Sequence, residues 1–218
     1  TSTDALRLWT QSNFGEDLIF AARGGNLFFW DATDALTTRG VLLSSESGAS
    51  NVPVKVNTVL VSDNRFVFCF GTNVLGSTDI DPMLLRWSDQ ENAVNWTPSS
   101  TNQAGDLRLS KGSEIITAVQ GRQEILVWTD SALYALQYVG APAVWSSQTV
   151  GENLSIASTR AVAYANGVAY WMGVGGFYRY DGRVQSLPCT VKRYIFNDFN
   201  TEQYDQVFAG TNEAFSEI

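Results

Sequence analysis

Acidic side chains are the residues of this sequence with the clearest potential for chemistry, because the chain contains no histidine. Hydrolysis of a glycosidic bond needs two carboxyl groups about 5–10 Å apart across a cleft. The acids that could contribute to such a pair are Glu16, Asp17, Asp89, Glu91, Glu124 and Asp130. Their spacing brings no two of them together, so the sequence alone predicts no catalytic pair.

Recognition of an acidic sugar would also require a cluster of arginines. The candidates, scattered near the ends of predicted strands, are Arg122, Arg160, Arg179 and Arg183. We interpret them as ordinary partners of acidic groups. The absence of histidine excludes Ser-His and Cys-His nucleophiles and the most common zinc ligand. We therefore predict that the protein is not an enzyme and has no catalytic, cofactor-binding or metal-ligating residues; a glycosidase is the least favoured function.

The two cysteines lie far apart and match no metal-binding spacing. Cys69 sits within the apolar run VFCF, which predicts a small buried hydrophobic residue. The alternative is a disulfide between Cys69 and Cys189, which would require an oxidising compartment.

Two loop segments have spacings that occur in functional sites. Asp79 and Asp81 lie two residues apart, a spacing that can begin a calcium site, but no distal glutamate completes it. We predict a solvated loop there. Ser88, Asp89 and Trp96 partly match the Asp-box turn of sialidase-type propellers, which is a folding device. We predict a long structured turn capped by packing of Trp96.

Glycine pairs and aromatic residues complete the set of candidates. Gly24-Gly25 and Gly175-Gly176 indicate hairpin turns, because no helix follows them to bind a phosphate. Several aromatic residues of the predicted strands could form a sugar platform: Phe28, Phe29, Trp30, Trp171, Phe177, Tyr178 and Tyr180. Packing in the core is the favoured interpretation, since strand alternation directs about half of them inward.

The net charge of −8, with no cluster of Lys and Arg, disfavours a protein that grips nucleic acid by its phosphates. It is compatible with a wall past which DNA slides without adhering. No apolar run approaches the ~18 residues of a membrane span. The sequence starts without Met and ends inside an alternating stretch, so we expect an excerpt of a longer protein.

The elements that position these residues repeat one phrase: an apolar strand, a tight turn and an aromatic-rich returning strand. The clearest copies are LIFAARGGNLFFWD (18–31), ILVWTDSALYALQY (125–138) and VAYWMGVGGFYRYDG (168–182). The phrase recurs every ~40 to 60 residues, the spacing of blades in a β-propeller.

We therefore predict an all-β fold: a β-propeller, or part of one, made of four-stranded antiparallel blades in a single domain, 1–218. The predicted blades span about 14–46, 57–109, 114–150 and 159–187, with the start of another at 204–218. A short connecting helix is predicted near 190–203, where four apolar residues fall at helical spacing. These residues are Val191, Tyr194, Ile195 and Phe199.

Three long runs of the sequence resemble structural tail proteins of tailed bacteriophages and prophages. They are 86–140 (RWSD…QYVG), 167–200 (GVAYWMG…FNDFN) and 205–218 (DQVFAGTNEAFSEI). The most specific stretches are NQAGDLRLS, GRQEILVWTD and LPCTVKRYIFND. The similarity spans nearly the whole chain and is to the β-propeller-containing nozzle, or tubular tail, subunits of short-tailed phages.

The resemblance implies a subunit of a homo-oligomeric ring, sixfold in a nozzle, made in the host cytoplasm and located in the virion tail. The inner wall of the ring would let DNA pass during ejection, without sequence-specific binding. The outer wall would contact an adaptor, fibres or neighbouring rings. The alternative function is a propeller module that binds host-surface carbohydrate through aromatic residues at blade ends.

Overall fold

The computed structural model describes residues 6–212, 214–215 and 217–218. The chain divides into two compact units. The first comprises 1–115 and 139–146, and the second comprises 116–138 and 147–218. Among the described residues, no helix has both the length and the hydropathy of a membrane-spanning segment.

The described strands form four four-stranded sheets, each in simple sequential order. Four consecutive antiparallel meanders are the architecture of propeller blades. The fold is therefore all-β and propeller-like, as the sequence predicted.

The first sheet has the predicted four strands but begins before the predicted 14–46. Its strands are β1 (Trp9–Phe14), β2 (Asp17–Ala22), β3 (Leu27–Trp30) and β4 (Val41–Leu42). The predicted start near residue 14 was therefore too late. Strand β1, WTQSNF, alternates between exposed and half-buried residues up to its buried last residue, so it carries little hydrophobic signal. Its pairing with β2, from Trp9↔Ala22 to Phe14↔Asp17, makes it a strand.

The second sheet matches the predicted 57–109 closely. Its strands are β5 (Val56–Val61), β6 (Val67–Asn73), β7 (Ile80–Trp87) and β8 (Gly105–Arg108). The sequence predicted a long insertion between its second and third strands, but β6 and β7 continue to pair as far as Asn73↔Ile80. The register shifts between Phe70 and Thr72, where Gly71 has φ 58°. A Cβ on Gly71 would lie 2.7 Å from Asn57 Nδ2, so this bulge favours glycine.

The third and fourth sheets also agree with the predicted blades. The third consists of β9 (Ile115–Gln120), β10 (Ile125–Thr129), β11 (Ala132–Gly140) and β12 (Val144–Glu152). The fourth consists of β13 (Val162–Ala165), β14 (Val168–Met172), β15 (Phe177–Tyr180) and β16 (Val184–Leu187). The Asn166-Gly167 turn between β13 and β14 has φ values of 53° and 84°, as a two-residue hairpin requires.

Each unit has its own apolar core. In the first, Ile19, Leu27 and Val56 pack with Cys69 and Trp96. In the second, a separate cluster of buried residues contains Leu126, Trp128, Leu133, Ala169 and Trp171. Strands β6 and β10 are buried along their whole length, which explains the apolar runs VFCF and ILVW with which they begin.

The predicted connecting helix is present as α1 (Lys192–Asn197), followed by a 3₁₀ segment (Thr201–Gln206). The apolar residues used to predict it do not form a buried face, because Val191 and Tyr194 are exposed and Ile195 is only half-buried.

The predicted start of another blade at 204–218 stays a prediction. Phe208 forms an isolated parallel bridge with Arg160, and the Ser158 hydroxyl donates to the Val207 carbonyl. Ser158 and Val207 are 49 positions apart in the sequence. In the first unit, the N–H of Val59 donates to the hydroxyl of Thr10 across the same separation of 49, between the first strands of two successive sheets.

Candidate functional site

The side chain of Arg86, on β7, is 2% exposed and makes its hydrogen bonds to backbone carbonyls. Its guanidinium donates to the carbonyl of Asn51 at 2.7 Å, and at longer range to Asn73 (3.4 Å) and Trp96 (3.5 Å). Burial lowers the pKa of Arg86, while the nearby Cys69 and Asp106 oppose that shift. The arginine therefore ties three separate segments of the first unit together.

The Asp-box-like segment is a structured turn, as predicted. Ser88 Oγ accepts from the N–H of Val67 at 3.0 Å, and Asp89 Oδ1 accepts from the N–H of Gln103 at 2.8 Å. Trp96 is buried, and its indole N–H donates to the carbonyl of Ala93 at 2.7 Å. Cys69 is fully buried, also as predicted, and both cysteines are free, which contradicts the alternative disulfide.

The six candidate acids divide between the two units. Asp17 Oδ1 accepts from the N–H of Ala32 at 3.0 Å, and Asp89 is held in the turn described above. Glu16, Glu91 and Asp130 are exposed, whereas Glu124 is half-buried. Each of these acids is therefore exposed to solvent or bound to another group of its own unit.

Asp79 is exposed in the loop between β6 and β7, but Asp81 lies on β7 and is half-buried, so the predicted solvated loop is wrong for Asp81. Asp81 accepts from Arg108 Nε at 2.6 Å and from the N–H of Met83 at 2.9 Å. Within the described ranges, no group of three or more His, Cys, Asp and Glu residues could hold a metal ion.

The four candidate arginines differ in their surroundings, and Arg179 has the acidic partner that the sequence predicted. Arg179 donates to Gln185 Oε1 at 2.7 Å and lies 3.6 Å from Asp181. The backbone N–H of Arg122 donates to Tyr164 Oη at 2.9 Å, and Arg160 lies in the bridge with Phe208. Arg183 is exposed.

A polar cavity of about 260 Å³ in the second unit lies where several hairpin turns meet. Its lining includes Arg122, Glu124, Gln137, Tyr164, Tyr180 and Asp181. Burial raises the pKa of Tyr180 to about 12, and the charge of Glu124 and its hydrogen bond to Tyr180 add to this effect. Tyr180 thus stays neutral and donates to Glu124. The sequence named both residues, but for separate roles, since only the fold brings them together.

A larger, mainly apolar cavity of about 460 Å³ lies in the same unit, against the fourth sheet. Residues of strands and of the C-terminal segment line it, among them Tyr170, Trp171, Phe177, Tyr178, Cys189 and Phe208. Trp171 is almost fully buried and stacks on Tyr178, with ring centroids 5.5 Å apart. Sequence reasoning placed Trp171 and Tyr178 among the aromatic candidates but missed Cys189 as a cavity residue, because it lies outside every strand.

All seven aromatic candidates are at least half-buried. Trp171 and Tyr180 are buried, and the other five are half-buried. Packing in the core therefore accounts for much of their surface, as the alternation indicated.

No family model matches the chain, and no curated protein does. Solved structures similar to it include two of the extracellular domain of BT4673 from B. thetaiotaomicron, described as a hybrid two-component system and as a one-component system. They share 16% and 15% identity over 83% and 84% of this chain, with TM-scores of 0.51 and 0.52. BamB from Moraxella catarrhalis is 16% identical over 80% of this chain and 47% of its own, with a TM-score of 0.46.

The chain spans 22% of the length of the BT4673 structures. At these identities the likeness concerns the fold alone.

Proposed function

We propose that this protein is a structural subunit of a bacteriophage tail, of the nozzle or tubular type. Copies of it assemble into a ring of six through which DNA is ejected. The ring holds other tail parts, an adaptor above and fibres or further rings around it. The subunit is made in the host cytoplasm and ends up in the virion.

One observation carries the proposal: the run 86–140, one of the three runs that resemble tail proteins, uses polar side chains at its start to hold backbone groups. Arg86 binds three carbonyls, while Ser88 and Asp89 bind backbone N–H groups of neighbouring segments. Polar side chains whose hydrogen bonds go to backbone groups hold the neighbouring segments in place. This arrangement supports a structural role for the segment more than a catalytic one.

The charge of the chain supports a passage for DNA. The sequence has 22 acidic residues against 14 basic ones, for a net charge of −8. Phosphate contacts that retain DNA depend on lysine and arginine, so an acidic wall lets the duplex slide.

The experiment is negative-stain imaging and mass photometry of the purified protein, together with immunogold labelling of phage particles. We expect sixfold rings in solution and label on the tail. A protein that stays monomeric at all concentrations and does not label particles would contradict the proposal.

The polar cavity favours a second candidate, a host-surface carbohydrate-binding module. The cavity contains hydrogen-bond acceptors and donors from Glu124, Gln137 and Asp181, together with two tyrosines. Such a combination can form hydrogen bonds with the hydroxyl groups of a sugar. A glycan array tests it, with Glu124→Gln as the site variant and Glu202→Gln, on the exposed 3₁₀ segment, as the matched control. Selective binding that only Glu124→Gln abolishes would support this candidate, and a blank array would exclude it for the glycans tested.

A further inference from the structure

The polar cavity of about 260 Å³ in the second unit is built on a closely packed turn between β9 and β10. The N–H of Gly121 donates to the carbonyl of Glu124 at 2.8 Å, which closes this turn. A Cβ on Gly121 would lie 3.0 Å from that carbonyl oxygen and 3.5 Å from Tyr164 Oη. The backbone N–H of Arg122 also donates to Tyr164 Oη, at 2.9 Å. The turn therefore holds its side of the cavity in one geometry, which lowers the entropic cost of binding a ligand.

Tyr180, on β15, fixes the carboxylate of Glu124 in this cavity. Its side chain is 6% exposed, and its hydroxyl donates to Glu124. A carboxylate has about four acceptor sites, and the tyrosine occupies one of them. The other sites can accept from the hydroxyl groups of a ligand, and hydrogen bonds to a charged oxygen are stronger than those to a neutral one.

The charges beside the cavity largely cancel. Glu124 and Asp181 are the acids of its lining, and Arg122 is the basic residue. Arg179 lies 3.6 Å from Asp181 and compensates part of its charge. These groups of both signs favour a ligand without net charge, because an ion would lose its hydration with little net attraction in return.

The other polar groups of the lining both donate and accept. They are the amides of Gln123 and Gln137 and the hydroxyl of Tyr164. Sugar hydroxyls do the same, so a ligand with several hydroxyl groups can satisfy them together. The volume of about 260 Å³ lies just below the ~300–1,000 Å³ of pockets for drug-sized ligands. The cavity therefore suits one sugar ring better than an oligosaccharide.

We propose that this cavity binds a single uncharged sugar ring at the end of a glycan, with hydroxyl groups of the ring donating to Glu124. This inference rests on the carbohydrate-binding candidate above and adds what the site recognises: one neutral ring, and neither an acidic nor an amino sugar.

NMR titration of the purified protein with methyl glycosides tests the charge of the ligand. The glycosides of glucose, galactose and mannose are each used in three forms, with a hydroxyl, a carboxylate or an ammonium group on the sixth carbon. We expect at least one neutral hexoside to bind, and its two charged forms to bind at least fivefold more weakly. A charged form that binds as tightly as the neutral one would overturn the proposal.

A disaccharide tests the size of the ligand. When a second sugar extends the best neutral hexoside at its anomeric carbon, the affinity should change less than fivefold, because the second ring lies outside the cavity. A larger gain would show that the protein recognises more than one ring and would overturn the single-ring site.

Two variants place the binding in this cavity. Glu124→Gln should weaken binding of the neutral hexoside at least tenfold, because an amide replaces the charged acceptor. Gln137→Ala changes an exposed lining residue on β11 and leaves the contact between Tyr180 and Glu124 intact, and it should weaken binding at least threefold. Glu202→Gln, on the exposed 3₁₀ segment, is the matched control and should bind like the wild type. Circular dichroism and thermal midpoints check that all three variants are folded.

The outcomes separate this site from the functions proposed above. Sugar binding that neither Glu124→Gln nor Gln137→Ala changes would overturn the site and leave carbohydrate binding by another surface. A protein that binds no sugar, in the titrations and on the glycan array, would overturn both the site and the carbohydrate candidate. The proposed ring is decided separately, by imaging and mass photometry.

Discussion

Arg86 and Cys69 occupy directly opposed positions on strands β7 and β6, with neither side chain open to solvent. Burial raises the pKa of the Cys69 thiol, and the positive charge of Arg86 only partly opposes it. The pair is thus a neutral thiol beside a guanidinium whose hydrogen bonds go to backbone carbonyls. It marks the place where the second sheet is tied to the segments around Asn51 and Trp96.

Arg86→Met should lower the free energy of unfolding by about 3 kcal/mol, because it leaves buried carbonyls without their donor. Arg86→Lys should retain part of this stability, since an ammonium group can reach fewer of the three oxygens. Urea unfolding followed by tryptophan fluorescence measures both. A methionine variant as stable as the wild type would show that the carbonyls find other donors.

Cys69 should resist thiol reagents in the folded protein, because it is buried and its thiolate is disfavoured. We expect one equivalent of label at neutral pH, all of it on Cys189, and two after unfolding. Peptide mapping by mass spectrometry locates the label. Rapid native labelling of Cys69 would mean that the second sheet opens easily.

Tyr180 should make the protein more sensitive to alkali. Its folded pKa of about 12 lies above the ordinary value of 10, so the folded state keeps a proton that the unfolded state loses. The contribution is complete below pH ~10 and is lost as the pH rises toward ~12. Tyr180→Phe should therefore lose stability less steeply than the wild type in that window. Urea midpoints measured at several pH values check this, and parallel curves for the two proteins would refute it.

Gly105→Ala should destabilise the second sheet. Gly105 pairs with Trp87 across β7 and β8, and a Cβ there would lie 2.5 Å from Cζ2 of the indole. We expect a loss of about 1–3 kcal/mol from the forced shift of the ring. Gly175→Ala is the control, because nothing lies within 4 Å of its added Cβ. Thermal unfolding should separate the two variants clearly, and equal midpoints would argue against a rigid contact.

Part of the candidate site could be predicted from the sequence. The turn around Ser88 and Asp89 and the burial of Cys69 followed from local pattern, because turn chemistry and apolar runs act over a few residues. The cavities could not be predicted. Tyr180 binds Glu124 because the fold brings together two segments that are far apart in the sequence, and no local pattern predicts that contact.

The sequence by itself determined the all-β class, most strand positions in the four sheets and the helix near 192–197, since alternation, apolar runs and Asn-Gly turns are local signals. Only the tertiary structure decided that Trp9–Phe14 is a strand. This polar segment is a strand because it pairs with β2. It also decided that Arg86 is a buried clamp, a role that no sequence pattern predicted. The physical reason is common to both: backbone donors and acceptors must be paired, and the partners come from distant parts of the chain.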